Sequence, residues 1–268
     1  MPRTFRDVRA KVNAAELRRF LRWFESPIGR ALIARESPHL LQGVRRFHGD
    51  TLLWLGPVAV GGLDLERCMV RHRIVGALST ELRDASTMGA GTSLFCGRPD
   101  SLPFPSGSID AVVSHHALEC AGDRRSAVRE IYRVLRPGGR LLVCGFNPYS
   151  LWGVRRLYAG VREDGFSGTR FVSPIRLLDW LAVLGFEVDE GVRYLMYRPP
   201  LDIGRYESPR WTRIRTAFER ARVPLGGVYS LLARKTAIPL TLIRAGAQAA
   251  RQPQLVPLVP KPTARDRP

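Results

Sequence analysis

From Thr51 onward the chain alternates short apolar runs with stretches of helical period, and this rhythm constrains its fold more than any other feature. The runs are Thr51–Leu55, Arg73–Ala77, Thr92–Cys96, Ile109–Ser114 and Arg140–Phe146. Short runs of this kind, separated by helices, suit strands buried between two helical layers. Between the last two, Asp123–Leu135 sets Val128, Ile131, Tyr132 and Leu135 on one helical face. Arg136-Pro137-Gly138-Gly139 then stops the helix and turns the chain into the next strand. A further helix is expected over Pro174–Leu184, then strands over Phe186–Val192 and Val228–Arg234. The expected class is α/β, with a doubly wound and mostly parallel sheet.

The flanks divide the chain further. Residues 14–47 read as helical, with Leu17, Phe20, Leu21 and Phe24 at helical spacing. Ser26-Pro27 breaks that helix, and a second, short one continues through Ile28, Ala31 and Leu32. The expected organisation is an N-terminal helical extension over 1–50, a main domain over 51–244 and a basic, proline-rich, disordered tail over 245–268. An insertion at 195–227 precedes the last strand. Its centre, Arg210–Arg222, reads as a basic amphipathic helix with Trp211, Ile214 and Phe218 on one side. Three uses fit that helix: plain packing on the domain, a lid over the cleft, or docking on an anionic surface.

Composition narrows the partners. Lys and Arg number 42 against 24 Asp and Glu, a net charge of +18, and only Lys11, Lys235 and Lys261 are lysines. Such a field attracts RNA, phosphorylated metabolites or acidic lipid, though a solvated basic surface accounts for it equally well. Cys68, Cys96, Cys120 and Cys144 lie far apart without a C-x-x-C pair, so they read as small buried apolar residues. No metal centre is expected. No signal sequence and no transmembrane run is visible, so a cytoplasmic location is expected.

The functional signal is a string in fixed order: Asp100-Ser101-Leu102-Pro103-Phe104, then Ser108-Ile109-Asp110-Ala111-Val112-Val113, then Leu118-Glu119, a helix, and Leu135-Arg136-Pro137-Gly138-Gly139. In this string the chain resembles the class I methyltransferases of the type 11 branch, which includes the UbiE-like enzymes. A narrower likeness rests on Phe24–Arg30, Cys144–Arg155, Asp179–Phe186 and Leu232–Lys235, which are similar to a YafS-like bacterial subgroup. The resemblance implies a seven-stranded Rossmann-like sheet whose last strand is antiparallel. It also implies S-adenosylmethionine as cofactor and methyl transfer to an acceptor, small or macromolecular, that the sequence does not identify.

It further implies a cofactor site along the strand ends: Trp54 and Gly56 at the end of the first strand, Leu78 after the second, Arg98, Pro99 and Asp100 after the third, and His115 after the fourth. His115 is the candidate catalytic base, and His116, Asn147 and Tyr149 are candidates to face the acceptor. Each histidine reads equally as a hydrogen-bonded wall residue, and Asn147 and Tyr149 also suit a helix cap. The chain departs from the family where the cofactor is usually held by acids. Pro57 follows Gly56 and has no N–H to donate, Leu78 stands where an acid accepts the ribose hydroxyls, and Arg98 stands where an acid meets the adenine. Arg98 is expected either to pair with Asp100 or Glu81, or to meet an anionic ligand. Two function classes therefore stand: a methyltransferase with weakened cofactor binding, or a silent methyltransferase-fold protein acting as an RNA-binding or scaffold module. A dehydrogenase fits poorly because the first strand lacks G-x-G-x-x-G.

Overall fold

The computed structural model describes residues 14–57, 68–77, 92–154, 166, 169–195, 213, 216–217 and 224–236. All of these lie in one structural unit, Met1–Ala237. Residues 1–13, most of the insertion and the expected tail at 245–268 fall outside them. Of the expected insertion helix only 213, 216 and 217 are described, and all three are helical.

Two helices, α1 (Ala14–Glu25) and α2 (Pro27–Val44), precede the first strand. Ser26 caps α2, its hydroxyl accepting from the Gly29 N–H at 3.1 Å, and Pro27 occupies the first turn, where a missing N–H costs nothing. The second helix is therefore long, against the short one expected, and it carries Pro38 inside it. One residue earlier, the Ser37 hydroxyl back-bonds to the Ile33 carbonyl at 2.7 Å. The added length carries Glu36, Leu40 and Val44 into the core.

The sheet holds β1 (Thr51–Leu55), β2 (His72–Ala77), β3 (Thr92–Cys96), β4 (Ile109–His115), β5 (Leu135–Phe146), β6 (Phe186–Leu195) and β7 (Val228–Lys235). Their order is β3-β2-β1-β4-β5-β7-β6. β1 to β5 pair in parallel, and β7 runs antiparallel between β5 and β6. The seven-stranded, doubly wound class expected from the sequence is thus the one found.

Strand alternation sorts the core into two layers. Leu52, Trp54, Ala111, Val113, Leu142 and Cys144 face α1 and α2. Leu53, Leu55, Val112, Leu141 and Val143 face α3 (Arg124–Val134) and α4 (Pro174–Leu184). The N-terminal helices are consequently part of the domain's core. Phe20, Trp23 and Phe24 of α1 meet Phe146, Trp152 and Phe166 mostly edge to face, the Trp23–Phe166 rings 4.6 Å apart. Burying each such ring is worth roughly 1.5–3 kcal/mol.

Asp110 ties the start of the sheet together. Its carboxylate accepts from the Asp50 and Thr51 N–H groups and pairs with Arg136 at 2.8 Å. The Pro-Gly-Gly segment lies within β5 rather than ahead of it, absorbed as a register shift between Ile109 and Ala111 with Gly138 at φ +80. One cysteine departs from expectation: Cys68, Cys120 and Cys144 are buried, but Cys96 is exposed because β3 is an edge strand. Among the described residues no helix is long and apolar enough to cross a membrane.

Candidate functional site

The winding of the sheet reverses between β1 and β4, the place where open α/β sheets bind ligands beyond their carboxyl ends. β1 gives way to Gly56 at φ +135, and a Cβ there would stand 1.8 Å from the His115 carbonyl oxygen. Only glycine permits that approach. β4 ends on His115, and His116 follows at φ 50, the one positive-φ residue other than glycine among the described residues. β5 ends on Phe146, whose N–H donates to Glu119 Oε1 at 2.7 Å.

Consecutive strand residues ordinarily face opposite sides of a sheet. The left-handed turn at His116 instead brings both imidazoles to one carboxylate, that of Glu36 from α2. His115 Nε2 lies 2.7 Å from Glu36 Oε2, and His116 Nε2 lies 3.2 and 3.3 Å from the two carboxylate oxygens. All three side chains are fully buried. Burial alone would raise the Glu36 carboxyl, but the His116 charge and hydrogen bonds from both imidazoles hold it at about 2. Burial likewise opposes charge on His116, and Glu36 and Glu119 overcome it, lifting the imidazole to about 9. His115 is pushed below the usual histidine range by burial. At neutral pH the group is a carboxylate, an imidazolium and a neutral imidazole.

Trp54 lies under this group, its ring edge-on to His115 at 5.8 Å, with a buried indole N–H that has no partner. Arg98 is taken: its guanidinium grips Asp100 through two hydrogen bonds of 2.9 and 2.8 Å. The first of its two expected roles is the one found, and this pairing lowers Asp100. Asp100 also accepts from the Asp123 N–H at 3.4 Å, and Pro99 is buried between the pair. Leu78 and Glu81 lie outside the described residues.

Asn147 is buried and fully engaged. Its amide donates to the Pro224 and Gly226 carbonyls at 2.9 Å each, and its side-chain oxygen accepts from the Tyr149 N–H at 3.1 Å. It clamps the returning end of the insertion against the end of β5, whereas Tyr149 is 61% exposed. Asn147→Ala strands two carbonyls, so a loss of about 2 kcal/mol is expected in urea unfolding. Tyr149→Ala should stay within about 0.5 kcal/mol.

The structure thus brings Trp54, Gly56, His115 and His116 together and leaves Arg98, Pro99 and Asp100 as a separate paired turn. It also adds Glu36, Glu119 and Cys144, which sequence reasoning missed. The missed signal was Glu36 itself, one acid within the apolar stripe Leu32, Ile33, Leu40 and Val44.

A doubly wound sheet with one inverted strand and a ligand edge at β1 and β4 defines the class: a Rossmann-like methyltransferase fold. A methyltransferase domain model, of the type 11 family, matches residues 59–143. The Escherichia coli (strain K12) protein YafS is 29% identical over 221 residues, 82% of each chain. The demethylmenaquinone methyltransferase of Thermus thermophilus is 31% identical over 134 residues, spanning 48% of this chain and 56% of that protein. A SAM-dependent methyltransferase structure from Thermotoga maritima superposes with a TM-score of 0.57 at 19% identity, covering 82% of this chain and all of that one (100%). These likenesses are all to methyltransferases or to a relative of unassigned activity, and the matched domain is that of the type 11 branch.

Proposed function

We propose that the chain transfers a methyl group from S-adenosylmethionine to an acceptor bound beyond the carboxyl ends of β4 and β5, with a cofactor site weaker than the family's usual one. The observation that carries this reading is Gly56, placed by β1 at the winding reversal in a conformation open only to glycine. That turn fits a cofactor loop leaving the sheet at this point, and Gly56 and the Arg98–Asp100 turn would hold the nucleoside, whereas Trp54 is buried in the core. When bound, the cofactor supplies an electrophilic sulfonium methyl, so the protein's own work is alignment and exclusion of water. His115 acts as a positioning residue: its ring is spoken for by Glu36 and its carbonyl backs Gly56.

The weakness lies in the substituted acids. Leu78 offers the ribose no acceptor, and an unmet hydroxyl costs roughly 1–3 kcal/mol. Calorimetric titration with S-adenosylhomocysteine should show weak binding by the natural chain and about tenfold tighter binding by Leu78→Asp, since about 1.4 kcal/mol is tenfold. Absence of binding in both proteins would contradict the reading.

A further inference from the structure

Glu36 of α2, His115 and His116 at the end of β4 and Cys144 of β5 each offer one ligand atom, and these four atoms lie within 4.8 Å of one another, all buried. We propose that they form a closed site for a divalent ion of the zinc type, which pins α2 onto the carboxyl ends of β4 and β5. Proximity is only the first support.

The backbone is the second. A lone Glu36–His115 pair at 2.7 Å needs no unusual conformation. Bringing His116 to the same carboxylate requires φ 50, a left-handed state that costs a residue with a side chain roughly 1–3 kcal/mol. Strain of this kind persists where a constellation depends on it. In register, His115 also pairs with Cys144 across β4 and β5, and the His116 N–H donates to the Cys144 carbonyl at 2.8 Å. Both histidines and the thiol are therefore held by the same stretch of ladder.

The surroundings are the third. A metal-bound histidine usually turns its other ring nitrogen to a carboxylate. His116 Nδ1 lies 3.5 Å from Glu119 Oε1, and that oxygen is fixed by the Phe146 N–H. This is ion-pair distance rather than a hydrogen bond: His116 Nδ1, Glu119 Oε2 and His115 Nδ1 are all buried without a hydrogen-bond partner. The Nδ1 of His116 thus faces the Glu119 carboxylate from the side of the ring away from Glu36, the placement expected of an outer partner to a metal-bound histidine.

Donor chemistry agrees. Two imidazoles, one thiolate and one carboxylate form a four-coordinate set suited to zinc, and four protein ligands with no open position describe a structural site. Donors at about 2.0–2.3 Å from a tetrahedral ion stand roughly 3.3–3.8 Å apart. That lies between the 2.7 Å contact and the 4.8 Å limit found here, so loading moves side chains by about 1 Å or less. A zinc-type ion takes Cys144 as thiolate, its proton leaving to solvent, and takes each imidazole through a deprotonated ring nitrogen.

The test uses the full chain, stripped with chelator and titrated with Zn(II) and Co(II) without any nucleoside, so it stands apart from cofactor binding. One Zn(II) per chain should bind and raise the melting temperature. Co(II) should give tetrahedral visible bands and a thiolate-to-cobalt charge-transfer band. Cys144→Ser, which keeps the Glu36 contacts and hence the fold, should lose the charge-transfer band. Glu119→Gln should weaken Zn(II) about 10–100-fold. Failure of the stripped, folded chain to bind either ion would overturn the site, as would binding whose affinity and spectrum are unchanged by Cys144→Ser and His115→Ala.

Discussion

Glu36→Ala is expected to destabilise the chelator-treated protein by about 3–5 kcal/mol, because it removes one partner of a buried, paired charge. In a domain of this size that is a fall in melting temperature of roughly 10 °C. His116 would lose the carboxylate that sustains its charge, and His115 would lose the partner of its Nε2. Glu36→Gln keeps the volume and one acceptor, so it should fall between the natural chain and the alanine variant. The effect is also directional in space. Glu36 joins α2 to the strand ends, so hydrogen exchange should rise first in α2 and in 115–119. A melting temperature unchanged in Glu36→Ala would mean that the carboxylate does not carry this contact.

Gly56→Ala should have the other large effect. The added Cβ would sit 1.8 Å from the His115 oxygen and 2.9 Å from its carbonyl carbon, backbone atoms that can yield only if β1 and β4 part. Strain at φ +135 and the overpacking together amount to about 4 kcal/mol. Gly107 provides the control, with φ +65 and nothing within 4 Å of its Cβ position. Gly107→Ala pays only for the backbone, about 1 kcal/mol. Thermal unfolding of both variants separates the two terms. Equal losses would show that Gly56 is needed for its backbone angle alone. Because the displaced strands would carry the proposed cofactor edge, Gly56→Ala should also lose more than tenfold in S-adenosylhomocysteine affinity.

What the sequence made legible follows from how local each cause is. β1 and β3 fall where their apolar runs predict, and α4 where a helix opening on Pro174 is expected, since each is bounded by its own turn chemistry. α2 runs on past Pro38, where a proline ordinarily ends a helix, and only its packing on the strand ends shows why it continues. The expected short helix hid Glu36, and with it the partner of both histidines, which lies far away in the chain. The ligand-like group escaped for the same reason: its members sit on three elements, two of them consecutive histidines, and no spacing motif encodes that arrangement. The Arg98–Asp100 pair was legible as one of two alternatives because its members are two residues apart. The exposure of Cys96 depends on strand order, which no local pattern contains.

The proposed cofactor edge lies at the ends of β1, β3 and β4. Hydrogen exchange of the natural chain with and without saturating S-adenosylhomocysteine tests it most directly. Protection should concentrate in peptides covering 53–57, 98–102 and 114–118, with β6 and β7 unaffected. Protection confined to other segments, or none at saturation, would contradict the account.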